Sequence, residues 1–502
     1  MRKLNFFLLC PILCIFCIAQ TQPEADPGTA RLIQTALQPS PLENNLQRLT
    51  DEVGGRIPGT PAMQRAIEWG VQSFKAAGAD SVHTEEFTIP QSWAEGATEM
   101  TVRAAGKDAD SRKASAEFRV RCVSIAYAPQ LAPVKHVSVV DVGEGKAADF
   151  ARAGDISGKI LLVHTVVLKT WEDLFAEYSN APPIIDAAVK GKAAAIAFIA
   201  TREHDILYRH TNSVHGEIDH IPQVLVARED GERIGRLIAT GHSVWADLSI
   251  PNKIGGPIKT ANVIAEIKGS EKPDEFVILG AHLDSWELGS GALDNGCNAA
   301  LVIDAVRAIK ASGLQPRRSI RFILFSGEEE GLLGSRAYAR SHRGELDRAA
   351  GVIVWDSGTG KTTGFADGGR ADVLDTAKQL IAPLQQFGVT KIRTDMEWGT
   401  DHFDFMLEGV PTFVADQEEA NYLENYHAVS DTYDKVDFAQ LKQHVAEAAA
   451  FSFELANLAD KIGPRYTRAE IEQSIRETHS EDMLRSSGIW DEWQSGKLGR
   501  QK

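Results

Sequence analysis

The chain has 502 residues, 43% of them hydrophobic and 24% charged, which is ordinary globular composition and more than one core needs. Its formal net charge of −16 repels phosphate backbones and argues against nucleic acid as a partner. At the N-terminus, Arg2 and Lys3 precede an apolar run from Leu4 to Ala19. The run is short for a membrane span and ends on small residues. Residues 1–19 therefore read as a signal peptide, and the mature chain as secreted or periplasmic with no stable membrane insertion. Three of the five cysteines fall in that segment; Cys122 and Cys297 remain and read as free thiols. Residues 20–41, with Pro23, Pro27, Pro39 and Pro41, read as a linker.

From Leu42 the pattern predicts a helix, a Gly/Pro turn (GGRIPGTP) and a second helix over 62–77, capped by Thr60 with Pro61 in its first turn. A strand near 81–87 follows, and residues 42–121 form the first part of the main domain. Strand-like runs then recur: HVSVVDV, KILLVHTVV, AAAIAFI, IPQVLVA and HSVWADLSI. Short helical pieces such as ADFARAG separate them, so 122–256 is expected to be a β-rich insert without a catalytic cluster of its own. From Ala261 the rhythm becomes strand, loop, long helix, with strands at EFVILGAH, SIRFILFSG, GVIVWDSG and VPTFVADQ. Helices are expected near 298–311, 332–342, 371–387 and 437–461. The fold class is α/β, a mostly parallel central sheet flanked by helices over 257–460. Residues 461–502 form a helical tail.

Ligands of such sheets gather at the carboxyl ends of the strands. His282 and Asp284 follow the first strand of this region, and Asp294 comes after a glycine-rich loop. Glu328, Glu329 and Glu330 follow the second strand, Asp356 the third and His427 the fourth. Zinc takes His nitrogen and carboxylate oxygen, and a pair of ions needs a shared carboxylate. One further carboxylate must stay off the metals to move a proton. Adjacent residues of extended chain point to opposite sides, so two neighbouring glutamates can divide these roles. Spacing leaves open which two of the three are used. Singly, each residue has an ordinary explanation. Asp294 can cap a helix, the three glutamates can form an acidic first turn, and Glu287 and Asp401 read as loop residues. Five residues of ligand type, all placed after apolar strands, make the joint reading a metal site. The sheet region has no Gly-x-Ser-x-Gly elbow and no HExxH run, so serine hydrolase and zincin chemistry are set aside.

The ordered motifs GAHLDSW, GALDNG, GEEEGLLGS, VWDSGTG, GTDHFDF and YHAVSDTYDKVD resemble those of the co-catalytic zinc aminopeptidase superfamily, above all its plasma glutamate carboxypeptidase (carboxypeptidase Q) branch. The resemblance covers residues 42–460. It implies two zinc ions per chain, one held by His282, Asp294 and Asp356, the other by the same Asp294 with Glu329 and His427. It also selects Glu328 as general base on the water between the metals, leaves Glu330 as spacer, and makes Asp284 the acid that orients His282. His402 is implied to lie near the substrate. The insert, through GKILLV and IPQVLVA, is similar to a protease-associated domain, and the family implies a homodimer. The expected activity is a metallo-exopeptidase acting on short peptide substrates, dipeptides in particular. The alternatives are a broader aminopeptidase or a receptor-like protein that has lost catalysis. Segments near 170–220 and 390–430 are expected to set side-chain preference.

Overall fold

The computed structural model describes residues 27–106, 114–213 and 215–501. The expected signal peptide lies outside them. Part of the expected linker is folded. Pro27–Ala36 is a helix that buries Leu32, Ile33 and Ala36 and packs on the 297–312 and 438–457 helices. Pro27 begins it, at a position where a missing N–H costs nothing; the prolines around this segment mask its apolar stripe. Among the described residues no helix is long and apolar enough to cross a membrane.

An eight-stranded sheet runs in the order 81–89, 258–267, 318–325, 272–282, 349–354, 412–417, 362–366, 391–393. Its centre is parallel, from 318–325 through 272–282 and 349–354 to 412–417. Antiparallel pairing joins 81–89, 258–267 and 362–366 on either side. The edge pair 362–366 and 391–393 is parallel as well, so the fold is mixed α/β, with parallel pairing at the centre and at one edge. Phe276 to His282 are all buried. Val277, Leu279 and Ala281 enter the apolar cluster on one face, and Phe276 and Ile278 the cluster on the other, as alternation in a doubly covered sheet requires. The helices Cys297–Ser312 and Phe438–Asn457 pack against each other on one face. The single helix expected over 371–387 is a helix Leu374–Leu380 followed by a 3-10 segment Ala382–Phe387, with Pro383 at the junction.

The second sheet also has eight strands, in the order 116–120, 99–105, 243–250, 131–141, 160–163, 195–199, 223–226, 122–124. It draws in Glu99–Ala105 and Ala116–Val120, upstream of residue 122, through antiparallel pairing with 243–250 and with each other. Strands 131–141, 160–163, 195–199 and 223–226 run parallel. Helices Trp171–Lys190 and Arg228–Ala239 accompany them, so this region is α/β rather than strands with short helical pieces. Pro182 and Pro183 lie inside the 20-residue 171–190 helix and hide it from pattern reading. Its start is nevertheless signalled, since the Thr170 hydroxyl accepts the Asp173 N–H at 3.3 Å and the Asp173 carboxylate accepts the Thr170 N–H at 3.0 Å. At the carboxyl ends of the parallel strands lies a cavity of about 350 Å³, walled by Val163, Phe198, Leu225 and the Ala181 side of this helix. Cys122 and Cys297 are free thiols.

Candidate metal centre

Strand register brings the expected ligands level. His282 pairs with Phe325 and Gly280 with Val354, so Asp356, two residues past Val354, comes alongside His282. The His282 Nε2 is 3.1 Å from Asp294 Oδ1 and 3.1 Å from Asp356 Oδ1. The other oxygen of Asp294 is 3.4 Å from His427 Nε2, which lies 2.8 Å from Glu329 Oε2. One ligand atom each from His282, Asp294 and Asp356 falls within 4.8 Å of the others, and the same holds for Asp294, Glu329 and His427. Neighbouring ligand atoms around a tetrahedral zinc with bonds of ~2.0–2.1 Å are about 3.3 Å apart. The two triads, joined at Asp294, therefore fit such ions. Asp294 Oδ2 and Glu329 Oε1 are buried without a hydrogen-bond donor, and buried acceptors left so call for a cation.

The electrostatics point the same way. Burial, reinforced by Asp356 and Glu329, holds the Glu328 carboxyl well above the usual carboxylate range, against the pull of His282. Burial and the Asp294 charge do the same to Glu329, and burial raises Asp356 despite His282. At Asp294 burial is outweighed by the His282 hydrogen bond and the two imidazoles, and its pKa falls. Burial disfavours a charged His282, yet the Asp356 and Glu328 charges lift it well above an ordinary histidine. Burial takes His427 down to about 4, the neutral form a metal requires. Crowded carboxylates of this kind need positive charge, supplied by protons or by dications.

Three consecutive glutamates part company after the 318–325 strand. Glu328 stands on the wall of the open cavity, 3.9 Å from His282 Nε2. Glu329 turns in to His427, and Glu330 is fully buried. Asp284 sits behind His282, but the closer contact is main-chain: the His282 Nδ1 is 3.1 Å from the Asp284 carbonyl oxygen and 3.8 Å from its carboxylate. The Asp284 carboxylate instead accepts the Glu329 N–H at 3.2 Å, tying the two ligand loops together.

Several supporting residues have no local signal in the sequence. Asp431, which reads as a turn residue, accepts the N–H groups of Ala292, Leu293 and Asp294 at 3.1, 2.7 and 3.1 Å. It fixes the loop that carries the shared carboxylate, and burial pushes its own pKa up to about 7. Arg56 is fully buried and donates to the carbonyls of Leu283, Ser290 and Gly291; burial lowers it to about 10. The insert contributes too. The Nδ1 of His427 is 3.0 Å from the carbonyl oxygen of Arg209, and the Arg209 N–H donates to the His427 carbonyl at 2.9 Å. Such a partner fixes ring orientation. The backbone of His427 has φ +58°, an unfavourable conformation for a non-glycine residue that surrounding contacts must hold. Arg209 is itself fully buried between Glu95 and Glu287, which gives Glu287 a role beyond that of a loop residue.

Two further expectations change. His402 does not face the cavity. Its ring is 1% exposed and lies 3.1 Å from the Glu397 carbonyl oxygen, while Trp398, Gly399 and Thr400 form the wall in front of it. It braces that loop from behind. Asp401 is fully buried, and burial holds its carboxyl well above the ordinary range. The cavity itself measures about 470 Å³ and is bounded by Asp294, Glu328, Glu329, Asp356 and His427 on one side and by the 171–178 face of the insert helix on another, a size suited to small ligands.

Fold and cavity mark the place of the site, and comparison with known proteins gives the class. The model of peptidase family M28 matches residues 262–452, the stretch that holds every one of the clustered ligand residues. Rat carboxypeptidase Q is 27% identical over 416 residues, which cover 82% of this chain and 85% of that protein. A crystal structure of a peptidase M28 precursor from Shewanella amazonensis superposes with a TM-score of 0.78 at 25% identity, covering 88% of this chain and 98% of the other. A zinc aminopeptidase from Bacillus subtilis shares the fold, with a TM-score of 0.62 at 22% identity over 82% of this chain and 94% of its own. The class is that of the metallo-exopeptidases. Within it, the relationship to carboxypeptidase Q and the co-catalytic aminopeptidases expected from the motifs is borne out.

Proposed function

We propose that this chain is a dinuclear-zinc exopeptidase that hydrolyses short peptides, dipeptides among them, with Glu328 as general base. The observation that carries the reading is the pair of ligand triads meeting at Asp294. His282, Asp294 and Asp356 would hold one ion, and Asp294, Glu329 and His427 the other. When bound, such a pair polarises a carbonyl and lowers the pKa of water. Everything else is done by the chain. Glu328, which lines the cavity but belongs to neither triad, takes a proton from the attacking water and returns it to the departing amine. Asp431 and Arg56 keep the Asp294 loop in position, and the Arg209 carbonyl orients His427. The same reading makes residues 1–19 a signal peptide, the product secreted or periplasmic, the insert a protease-associated domain and the assembly a homodimer.

Metal analysis of the purified protein after incubation with zinc tests the first half. Two ions per chain are expected, and one or none removes the dinuclear reading. Hydrolysis of dipeptides with free and blocked amino termini tests the second. Free substrates should be cleaved and blocked ones spared; equal rates on both would replace the exopeptidase reading with a different hydrolase.

A further inference from the structure

The insert helix 171–190 forms one wall of the cavity that holds the metal-binding residues. Trp171, Leu174, Phe175 and Tyr178 all line it, and their spacing puts them on a single helical face. Three of the four are already engaged. Trp171 stacks on Tyr422 with ring centroids 5.8 Å apart, the Tyr178 and Tyr426 hydroxyls are 3.2 Å apart, and Leu174 is buried. Tyr426 in turn stacks on His427 at 3.7 Å, so these contacts hold the helix at a fixed place beside the ligand loop. Phe175 is different. It is 46% exposed, it is the sole aromatic among the exposed large hydrophobics of the described residues, and it stacks on no other ring there. A phenyl group held on a rigid wall, inside a cavity and without a partner, presents apolar surface to whatever enters.

The charges around it narrow the occupant. Away from the metal-facing acids, the cavity is lined by Glu172, Glu397 and Asp416 against one arginine, Arg393. Arg393 is taken up by Asp395, Glu397 and Asp416, which leaves it poorly disposed to receive an acidic side chain.

Resting on the exopeptidase reading, we infer that the insert supplies the specificity wall of the site, and that Phe175 selects short peptides carrying a bulky apolar or aromatic side chain over those with glycine or glutamate. The test is a dipeptide panel with Phe, Leu, Gly or Glu in the first position over a common second residue, and the reverse, on zinc-loaded full-length protein. The wild type should favour Phe and Leu. In Phe175→Ala the Phe-to-Gly ratio of kcat/KM should fall about tenfold, as loss of a hydrophobic pocket contact does, while Phe175→Leu should retain most of it. An unaltered ratio, an equal loss on every substrate, or a wild-type preference for Gly or Glu would overturn the inference. Calorimetric binding of Phe-Ser and Gly-Ser to Glu328→Gln, with and without Phe175→Ala, separates the two readings. Should the wild type turn over no peptide, the catalytic reading falls. The wall then stands only if Phe-Ser binding weakens about tenfold on adding Phe175→Ala, and fails if the affinities match.

Discussion

Two eight-stranded sheets of this molecule share a plan and differ in what they do with it. Each has four adjacent parallel strands, and each has a cavity at their carboxyl ends, of about 470 and about 350 Å³. In the main sheet those ends deliver His282, Glu328, Glu329 and Asp356. In the insert they deliver Val163, Phe198 and Leu225, with His164 at the rim. Strand polarity makes the crevice in both cases; the side chains at and just beyond the strand ends decide whether it is a reaction centre or an apolar hollow. Parallel α/β architecture alone therefore says where to look and nothing about activity.

The contrast can be broken most forcefully at the main sheet. Glu328→Gln should cut kcat by about 10³-fold while zinc content measured by elemental analysis stays at the wild-type level; a variant with normal turnover would remove Glu328 from the chemistry. Next comes the support of the shared ligand. Asp431→Ala strands three buried N–H groups and should cost about 2–4 kcal/mol of stability with a loss of metal affinity of about 10–100-fold. Denaturant melts and competition with a zinc chelator read the two effects.

A buried carboxyl of the same domain that lies off the cavity sharpens the comparison. Glu447 is fully buried in the 438–457 helix, and burial pushes its pKa up from 4.5 to about 7. A carboxyl raised on folding leaves stability untouched below pH 4.5 and lowers it as pH climbs through 7. Glu447→Gln should therefore raise the stability by about 2–3 kcal/mol at pH 8, with the gain vanishing below pH 4.5. Thermal melts across that range check it. The smallest effect is expected at the insert. The Asp141 hydrogen bond lifts the half-buried His164 above 6.5 despite partial burial. Its contribution is complete below pH 6.5 and is lost as pH rises through the raised folded value. His164→Gln should lower stability by less than about 1 kcal/mol at pH 6 and converge with wild type at alkaline pH. Turnover in this variant should stay within about twofold of wild type.

The ligand cluster was legible because its members sit at the ends of apolar strands or in the loops that follow them, and a strand with its loop is a local pattern. Adjacent glutamates could be assigned different directions from backbone geometry, and the family motif chose among them. What the pattern concealed is long-range. Asp431 reaches the Asp294 loop, and Arg209 reaches His427, across more than a hundred residues, and no spacing rule links them. Local misreadings had local causes: prolines hid the helices at 27–36 and 171–190, and His402, which looks like a cavity residue in GTDHFDF, spends its ring on a main-chain carbonyl behind the wall.

The reciprocal hydrogen bonds between Arg209 and His427, with the bridge from Tyr208 to Ala428 beside them, bear on how freely this architecture can be rearranged. A stretch of the inserted region is stitched into the loop that presents one of the two imidazoles. Excising that region, or grafting in a foreign one of similar size, would release the imidazole as well as open the cavity, so the two sheets are not modules that can be exchanged independently.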